Sequence, residues 1–415
     1  MRPGSRHVHR FDRRSRSVRP LLLAAVVFGL LGIPARGGER PESGLPRAEP
    51  AEVGMDAAPL AEIAARMQGF VDEQQISGAV TLVARRGRVV HLEAVGHADL
   101  EARRPMKTES LFAVASMTKP ITATAVLILQ DEGKLSIDDP VSRHLPELSA
   151  VQLEGGERPG REITIRDALT HTAGFGGSQQ TERTLQQTVE LIAQRPLSFE
   201  PGAKWQYSPG LSVAGRVVEV VAGRPFDEFL AERIFRPLDM RDTTFRPSAE
   251  QQQRIARLYE PGETARSLKP ATHWLIDLDG ERAPNPSGGL FSTAADLARF
   301  YQAILDGGEL DGRRIVSKRA VEEMTRVQTD SLATGFTPGN GWGLGWCVVR
   351  EPQGVTRMLS RGTFGHGGAF GTQGWVDPER EMIVVLLVQR TNFGNSDGSA
   401  IRETLQDLAV RAVRE

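Results

Sequence analysis

The sequence predicts an α+β fold: an antiparallel sheet flanked by helices, with a helical insertion. Three observations predict it. Strand-like runs lie towards the two ends of the chain and come in pairs joined by short turns, the pattern of antiparallel hairpins. Between them, over residues 134–285, helical stretches alternate with Pro- and Gly-rich loops and strands are few. One long apolar helix beginning near Ser116 connects the two patterns, and no strand–helix–strand alternation of the parallel, doubly wound kind appears.

Taken in chain order, residues 1–37 read as a signal peptide. They hold eight arginines and one acid, then the thirteen-residue apolar run Leu21–Ile33, Pro34 and the small residues of Ala35-Arg-Gly-Gly38. The run is short for a membrane span. Arg13-Arg14 hints weakly at a twin-arginine route. The alternative is an uncleaved membrane anchor, and either way the domain is expected outside the cytoplasm, periplasmic or secreted. Residues 38–54, rich in Pro, Gly and Glu, read as a linker, and 55–415 as one domain. The net charge of −1 includes the basic leader, so the remaining domain is acidic, which argues against nucleic acid as a partner. A chain of 415 residues can bury a core without staples. Its single cysteine, Cys347 beside Trp346, excludes an intramolecular disulfide and reads as core packing.

Asp56 is placed to cap a helix with an apolar stripe at Leu60, Ile63, Met67, Phe70 and Val71. Gly78–Ala84 and Val89–Val95 read as a hairpin around Arg85-Arg-Gly-Arg88, with His91 and His97 at solvent-facing positions. The next helix is expected from about Ser116 to Glu132. Pro120 falls in its first turn, Ala123, Val126, Leu127 and Leu129 on its buried side, and Gly133 just past its end. A further helix spans Asp296–Leu305, with Asp296 as its cap, and ends at Gly307-Gly308. Gly371–Val376 and Met382–Val388 flank the turn Asp377-Pro-Glu-Arg380. A last helix buries Ile401, Leu405, Leu408 and Ala412.

Three segments carry candidate chemistry. In Ser116-Met-Thr-Lys119, residues three apart share a helix face, so the lysine amine can reach the serine hydroxyl. Serine needs a base to act as a nucleophile, and a lysine made neutral by burial can be that base. The same tetrapeptide also fits an exposed Ser and Lys on an ordinary helix. Tyr207, in Tyr207-Ser-Pro209 at a Pro/Gly loop, can relay protons in a cleft or simply pack on Trp205. His366-Gly367-Gly368-Ala369 offers small residues on an edge strand, where a substrate can approach the backbone. There the Ala369 N–H can join that of Ser116 as an oxyanion hole, with His366 on the cleft wall. The segment also fits a glycine-rich turn.

In this order, S-x-x-K, Y-S-x and His-Gly-Gly resemble the serine β-lactamase and penicillin-binding family, more closely its class C-like branch of DD-peptidases, family VIII esterases and related hydrolases. Leu169-Thr-His-Thr-Ala-Gly-Phe175, Phe199-Glu-Pro-Gly202, Ser287-Gly-Gly-Leu-Phe-Ser-Thr-Ala-Ala-Asp296 and Gly341-Trp-Gly-Leu-Gly-Trp346 extend the resemblance over roughly residues 55 to 410. It implies an antiparallel α/β domain and a helical domain with the cleft between them, and neither metal nor cofactor. It also implies Ser116 as nucleophile, Lys119 as base, Tyr207 as proton shuttle, and His366, Gly367 and Gly368 along the substrate. His171 is implied to be structural, and Trp342 and Trp346 are expected in the core or at the cleft rim. Two positions depart from the family. Pro209 replaces an asparagine that binds the substrate amide, and His366 replaces a lysine whose permanent charge holds a carboxylate. Both weaken the case for β-lactams.

The expected function is therefore an esterase-like serine hydrolase acting on a small ester, amide or peptide, with no stable protein partner. One alternative is a D-Ala-D-Ala carboxypeptidase or β-lactamase associated with the cell wall. The other is a non-catalytic binding module on the same fold.

Overall fold

The first hairpin opens with a largely apolar strand that alternates little. Strand β1 (Gly78–Arg85) is buried along its whole length and turns through Arg86-Gly87, both at positive φ, into β2 (Arg88–Asp99) and the short β3 (Arg104–Pro105). The C-terminal part supplies β4 (Asn340–Trp342), β5 (Cys347–Val349), β6 (Phe364–Gly367), β7 (Gln373–Asp377) and β8 (Met382–Leu387). Together they make one eight-stranded sheet in the order β4-β5-β6-β7-β8-β1-β2-β3, with every neighbouring pair antiparallel. The chain ends meet at its centre, where β1 and β8 pair from Val80↔Leu387 to Arg85↔Met382. This computed structural model describes residues 44–264, 266–278, 283–335, 337–393 and 396–414. The leader expected over 1–37 and the start of the linker lie outside the described residues. Residues 44–54 rest on the domain, with Leu45 and Val53 buried.

Strand periodicity assigns each side chain to one of two layers. Met382, Val384 and Leu386 of β8 face helices α1 (Ala57–Asp72) and α7 (Ala400–Arg411), where they meet Leu60, Ile63, Met67, Ile401, Leu405 and Leu408. Ile383, Val385 and Leu387 face the other way, into the main core with Phe300 and Ile304 of helix α6 (Ala294–Leu305). Burying each such side chain contributes about 1.5–3 kcal/mol, which pins the register. The α1 stripe is fully buried at Leu60, Ile63 and Met67, while Phe70 and Val71 are half-buried. Asp56 caps α1 by accepting the Ala58 N–H at 3.0 Å.

Two expectations are corrected here. His91 is buried, not solvent-facing: its Nε2 lies 2.7 Å from Thr81 Oγ1, and burial lowers its pKa to about 4, so it packs as a neutral ring. Asp296 does not cap α6. Thr293 does, accepting the Asp296 N–H at 3.2 Å. Asp296 is instead a buried acid that accepts the Asp242 N–H (2.8 Å) and the Thr243 hydroxyl (2.9 Å). Burial pushes its pKa up to about 7.

Helix α2 (Thr118–Asp131) lies behind the sheet, buried from Thr118 to Leu129, and ends at Gly133 in the left-handed region. Its interior threonines stay satisfied: Thr122 donates to the Pro286 carbonyl (2.6 Å) and Thr124 to that of Pro120 (2.9 Å). Between residues 134 and 285 the chain forms α3 (Ile165–Thr170), α4 (Leu185–Ala193) and α5 (Gly210–Ala222), and a small hairpin of Tyr259–Pro261 with Leu268–Pro270. Helix α5 packs on α2, α3 and α4. Its first residue must be glycine, because a Cβ on Gly210 would overlap the Ala168 carbonyl.

Candidate active site

The site gathers at the start of α2. Ala115–Met117 forms a tight 3-10 turn leading into the helix, and Ala115 sits at φ +46°, a left-handed conformation that costs a non-glycine residue about 1–3 kcal/mol. The surroundings hold it there. The Val114 N–H donates to Leu290 O (2.9 Å), and Thr118 Oγ1 donates to Ala115 O (2.8 Å) while accepting the Leu290 N–H (3.2 Å). This strained turn presents Ser116, half-buried, at the mouth of a helix that is buried from Thr118 to Leu129.

Lys119 is completely buried, and burial pushes its pKa well below the ordinary lysine value. Its Nζ lies 3.1 Å from Ser116 Oγ, 3.2 Å from Gln179 Oε1 and 2.6 Å from the Ser287 carbonyl oxygen. A neutral amine has two N–H donors and one lone pair. In that state the two donors can serve the two carbonyl-type oxygens, which leaves the lone pair for the Ser116 hydroxyl proton. Tyr207 Oη stands 2.8 Å from Ser116 Oγ on the other side and donates to it. Burial, ahead of all other causes, pushes the Tyr207 pKa far up, so the resting group is a phenol. Burial favours the neutral lysine, and a neutral lysine beside the phenol would give each hydrogen bond at Ser116 one donor and one acceptor. Such a set can take the serine proton without first discharging a cation.

Tyr207 is held from behind. The Ser208 N–H donates to His171 Nδ1 (3.1 Å), and the His171 ring lies 4.5 Å from the tyrosine ring between centroids. His171 occupies the left-handed position that ends α3. Trp342 packs edge-on to His171 and His366, at 5.3 Å and 5.4 Å. Tyr207 thus contacts the core through rings as well as reaching Ser116. Trp342 and Trp346 are both buried, as is Cys347.

His366 is buried, and burial first, with the nearby Lys119 second, lowers its pKa to about 3. Its Nδ1 lies 2.6 Å from the carbonyl oxygen of Gly367. It supplies no positive charge. The expectation of an edge strand is corrected: β6 lies inside the sheet, between β5 and β7. However, β5 pairs only with Phe364 and Gly365, so His366–Ala369 runs past its partner on that side. Gly368 lies against the Ser116 turn, where a Cβ would overlap the Val114 carbonyl and crowd Ala115. Ala369 is exposed, and its N–H meets no acceptor among the described residues. Pro209 stands just before α5 and offers no polar side chain.

The structure therefore brings Ser116, Lys119, Tyr207 and the His366–Ala369 segment together. Gln179 was not singled out from the sequence: it lies in a loop 60 residues from its partner, and no spacing marks it. The Ser287 carbonyl has a signal, since Ser287 opens one of the segments carrying the family resemblance.

An antiparallel sheet backed by a buried helix that carries Ser-x-x-Lys, with a tyrosine closing on the same serine, is the architecture of β-lactamases and penicillin-binding proteins. The chain belongs to the Beta-lactamase family, whose model matches residues 63–409. It is 34% identical to esterase EstB of Burkholderia gladioli over 84% of this chain and 95% of that protein. It is 30% identical to penicillin-binding protein 4 of Amycolatopsis lactamdurans over 83% and 89%. Among solved structures, EstCE1, described as a hydrolase with promiscuous acyltransferase activity, aligns with TM-score 0.74 and 28% identity, covering 85% of this chain and 99% of its own. The family is one of serine hydrolases, with esterase and carboxypeptidase relatives.

Proposed function

We propose that the protein is an exported serine hydrolase that cleaves a small ester through an acyl-enzyme on Ser116. The observation that carries this reading is Lys119: a buried amine whose two N–H groups are already committed, leaving its lone pair for Ser116 Oγ. In the proposed first step the Ser116 proton passes to Lys119 Nζ and Oγ bonds to the substrate carbonyl carbon. The N–H groups of Ser116 and Ala369 take the resulting oxyanion. On collapse the C–O bond to the alcohol breaks, and the proton returns to the leaving oxygen through Lys119 and the Tyr207 hydroxyl. Water then repeats the sequence, releasing the acid and restoring Ser116.

An ester is favoured over a β-lactam because the place of a fixed cation is taken by neutral, buried His366, and Pro209 offers nothing to a side-chain amide. The likeness to EstB supports the same choice, and that to penicillin-binding protein 4 keeps cell-wall peptides as the second reading. The complete Ser116–Lys119–Tyr207 set argues against a non-catalytic binding module. Export rests on the leader sequence, and among the described residues no helix is long and apolar enough to cross a membrane. Small-molecule substrates are the expected partners.

Hydrolysis of p-nitrophenyl butyrate and of nitrocefin, measured side by side for the wild type and Ser116→Ala, tests the choice. Ester turnover that is lost in the variant, with nitrocefin untouched, is expected. Nitrocefin turnover at comparable rates would move β-lactams and cell-wall peptides to first place.

A further inference from the structure

A second feature of the sheet side of the cleft bears on which esters fit. Strand β6 carries glycine at 367, and the space a side chain would fill there is taken by Asp397: a Cβ on Gly367 would overlap Asp397 Oδ1. Asp397 lies on the turn leading into α7 and is half-buried. Its carboxylate is held in place, accepting the Gln373 Nε2–H at 2.9 Å, and Gln373 is the residue paired with Gly367 across β6 and β7. Gln373 is fixed in turn by the Trp375 Nε1–H, donated at 2.9 Å. The neighbouring cation, Arg402, stacks over Trp375 at 4.1 Å and donates from Nη1 to the Asp397 main-chain carbonyl (2.7 Å). His366, one residue from Gly367, is neutral and does not offset the acid. The negative charge is within electrostatic reach of the reacting groups: after burial, Asp397 is among the causes that hold the Tyr207 phenol up. A glycine that admits a tethered carboxylate thus lies one residue from Gly368, which rests on the Ser116 turn.

We propose that Asp397 sets the charge selectivity of this cleft, disfavouring esters that carry a carboxylate and favouring neutral or cationic ones. This rests on the ester-hydrolase reading above. A carboxylate on the substrate would meet a like charge at a partly desolvated site; buried Arg402 offsets part of that charge, and no fixed cation stands at position 366 to attract the substrate.

The test uses the full chain, wild type and Asp397→Asn, with three p-nitrophenyl esters of similar size: the neutral butyrate, the anionic glutarate half-ester and a cationic trimethylammonio-butyrate. The readout is the ratio of kcat/KM values. In the variant the anionic-to-neutral ratio is expected to rise about tenfold, the scale of one like charge at a half-exposed site, and the cationic-to-neutral ratio to fall. Added salt is expected to raise the anionic-to-neutral ratio in the wild type by screening Asp397, which keeps the inference testable if the variant does not fold. Unchanged ratios in a folded variant, a wild type that prefers the anionic ester, or a ratio indifferent to salt would overturn it. Turnover of none of the three esters by the wild type would sink the ester reading itself, and the inference with it. Ser116-dependent turnover with unchanged ratios would remove the role of Asp397 alone.

Discussion

Replacing Lys119 by methionine separates the chemistry of the amine from its packing. Methionine has nearly the same length and no titrating group, and the site it would fill is fully buried. The substitution leaves the Ser287 carbonyl without its 2.6 Å donor, at a cost of about 1–3 kcal/mol. Removing a buried polar nitrogen offsets part of that. The sharper quantity is the pH dependence. An unfolded lysine titrates at about 10.4, whereas burial holds the folded Lys119 well below its ordinary value. Between the two, unfolding takes up one proton at this side chain, so stability rises with pH by about 1.4 kcal/mol per unit. The burial penalty is complete below the folded pKa and gone above the unfolded one. Methionine has no such dependence. As pH rises towards that unfolded value the wild type should therefore gain stability relative to Lys119→Met. Urea unfolding of both proteins across that range measures the difference, and ester turnover on the same samples should fall about 10²–10⁴-fold in the variant, the usual worth of a general base. Parallel stability curves would mean that the folded protein keeps an ammonium there, and the neutral-base reasoning would fail.

Tyr207→Phe keeps the ring against His171 but removes the hydroxyl 2.8 Å from Ser116 Oγ; kcat for esters should drop about 10²-fold or more with KM little changed, as steady-state kinetics can show. Asp296 has a folded pKa of about 7, above its unfolded value of about 3.9, so the stability it confers is complete below the unfolded value and is lost as pH rises through about 7. Asp296→Asn should remove that loss, and its unfolding free energy should decline less than that of the wild type between about pH 4 and pH 7, by about 1.4 kcal/mol per unit. Leu386→Ala, in the layer between β8 and helices α1 and α7, should cost about 2–5 kcal/mol in urea unfolding. A smaller loss would mean that this layer collapses to fill the gap.

Much of the fold was legible because its determinants are local. The β1–β2 hairpin, the stripe of α1 and the contact between Ser116 and Lys119 follow from periodicities of two residues and of three to four. What escaped depends on packing across the chain. His91 was misplaced because alternation identifies two faces of a strand without telling whether both are covered, and here α1 covers its side. An acid near a helix start is favoured as a cap, but Thr293, three residues before Asp296, satisfies the helix end and leaves the acid buried. The interior position of β6 depends on β5, whose partnership with it the local pattern does not specify. Gln179 and Asp397 meet their partners through loops far apart in sequence, where neither spacing nor composition gives a sign. Ser116, Lys119 and Tyr207 are nameable through order and resemblance, but the hydrogen count behind the proposed role of Lys119 needs the Ser287 carbonyl and Gln179 in place.

The most direct test of the central claim is covalent. The folded full-length chain is treated with a fluorophosphonate probe and digested, and the adduct is located by mass spectrometry, with Ser116→Ala alongside. A single adduct on the peptide bearing Ser116, absent from the variant, is the expected result. A folded wild type that remains unlabelled, or a variant labelled equally well, would contradict a nucleophilic Ser116.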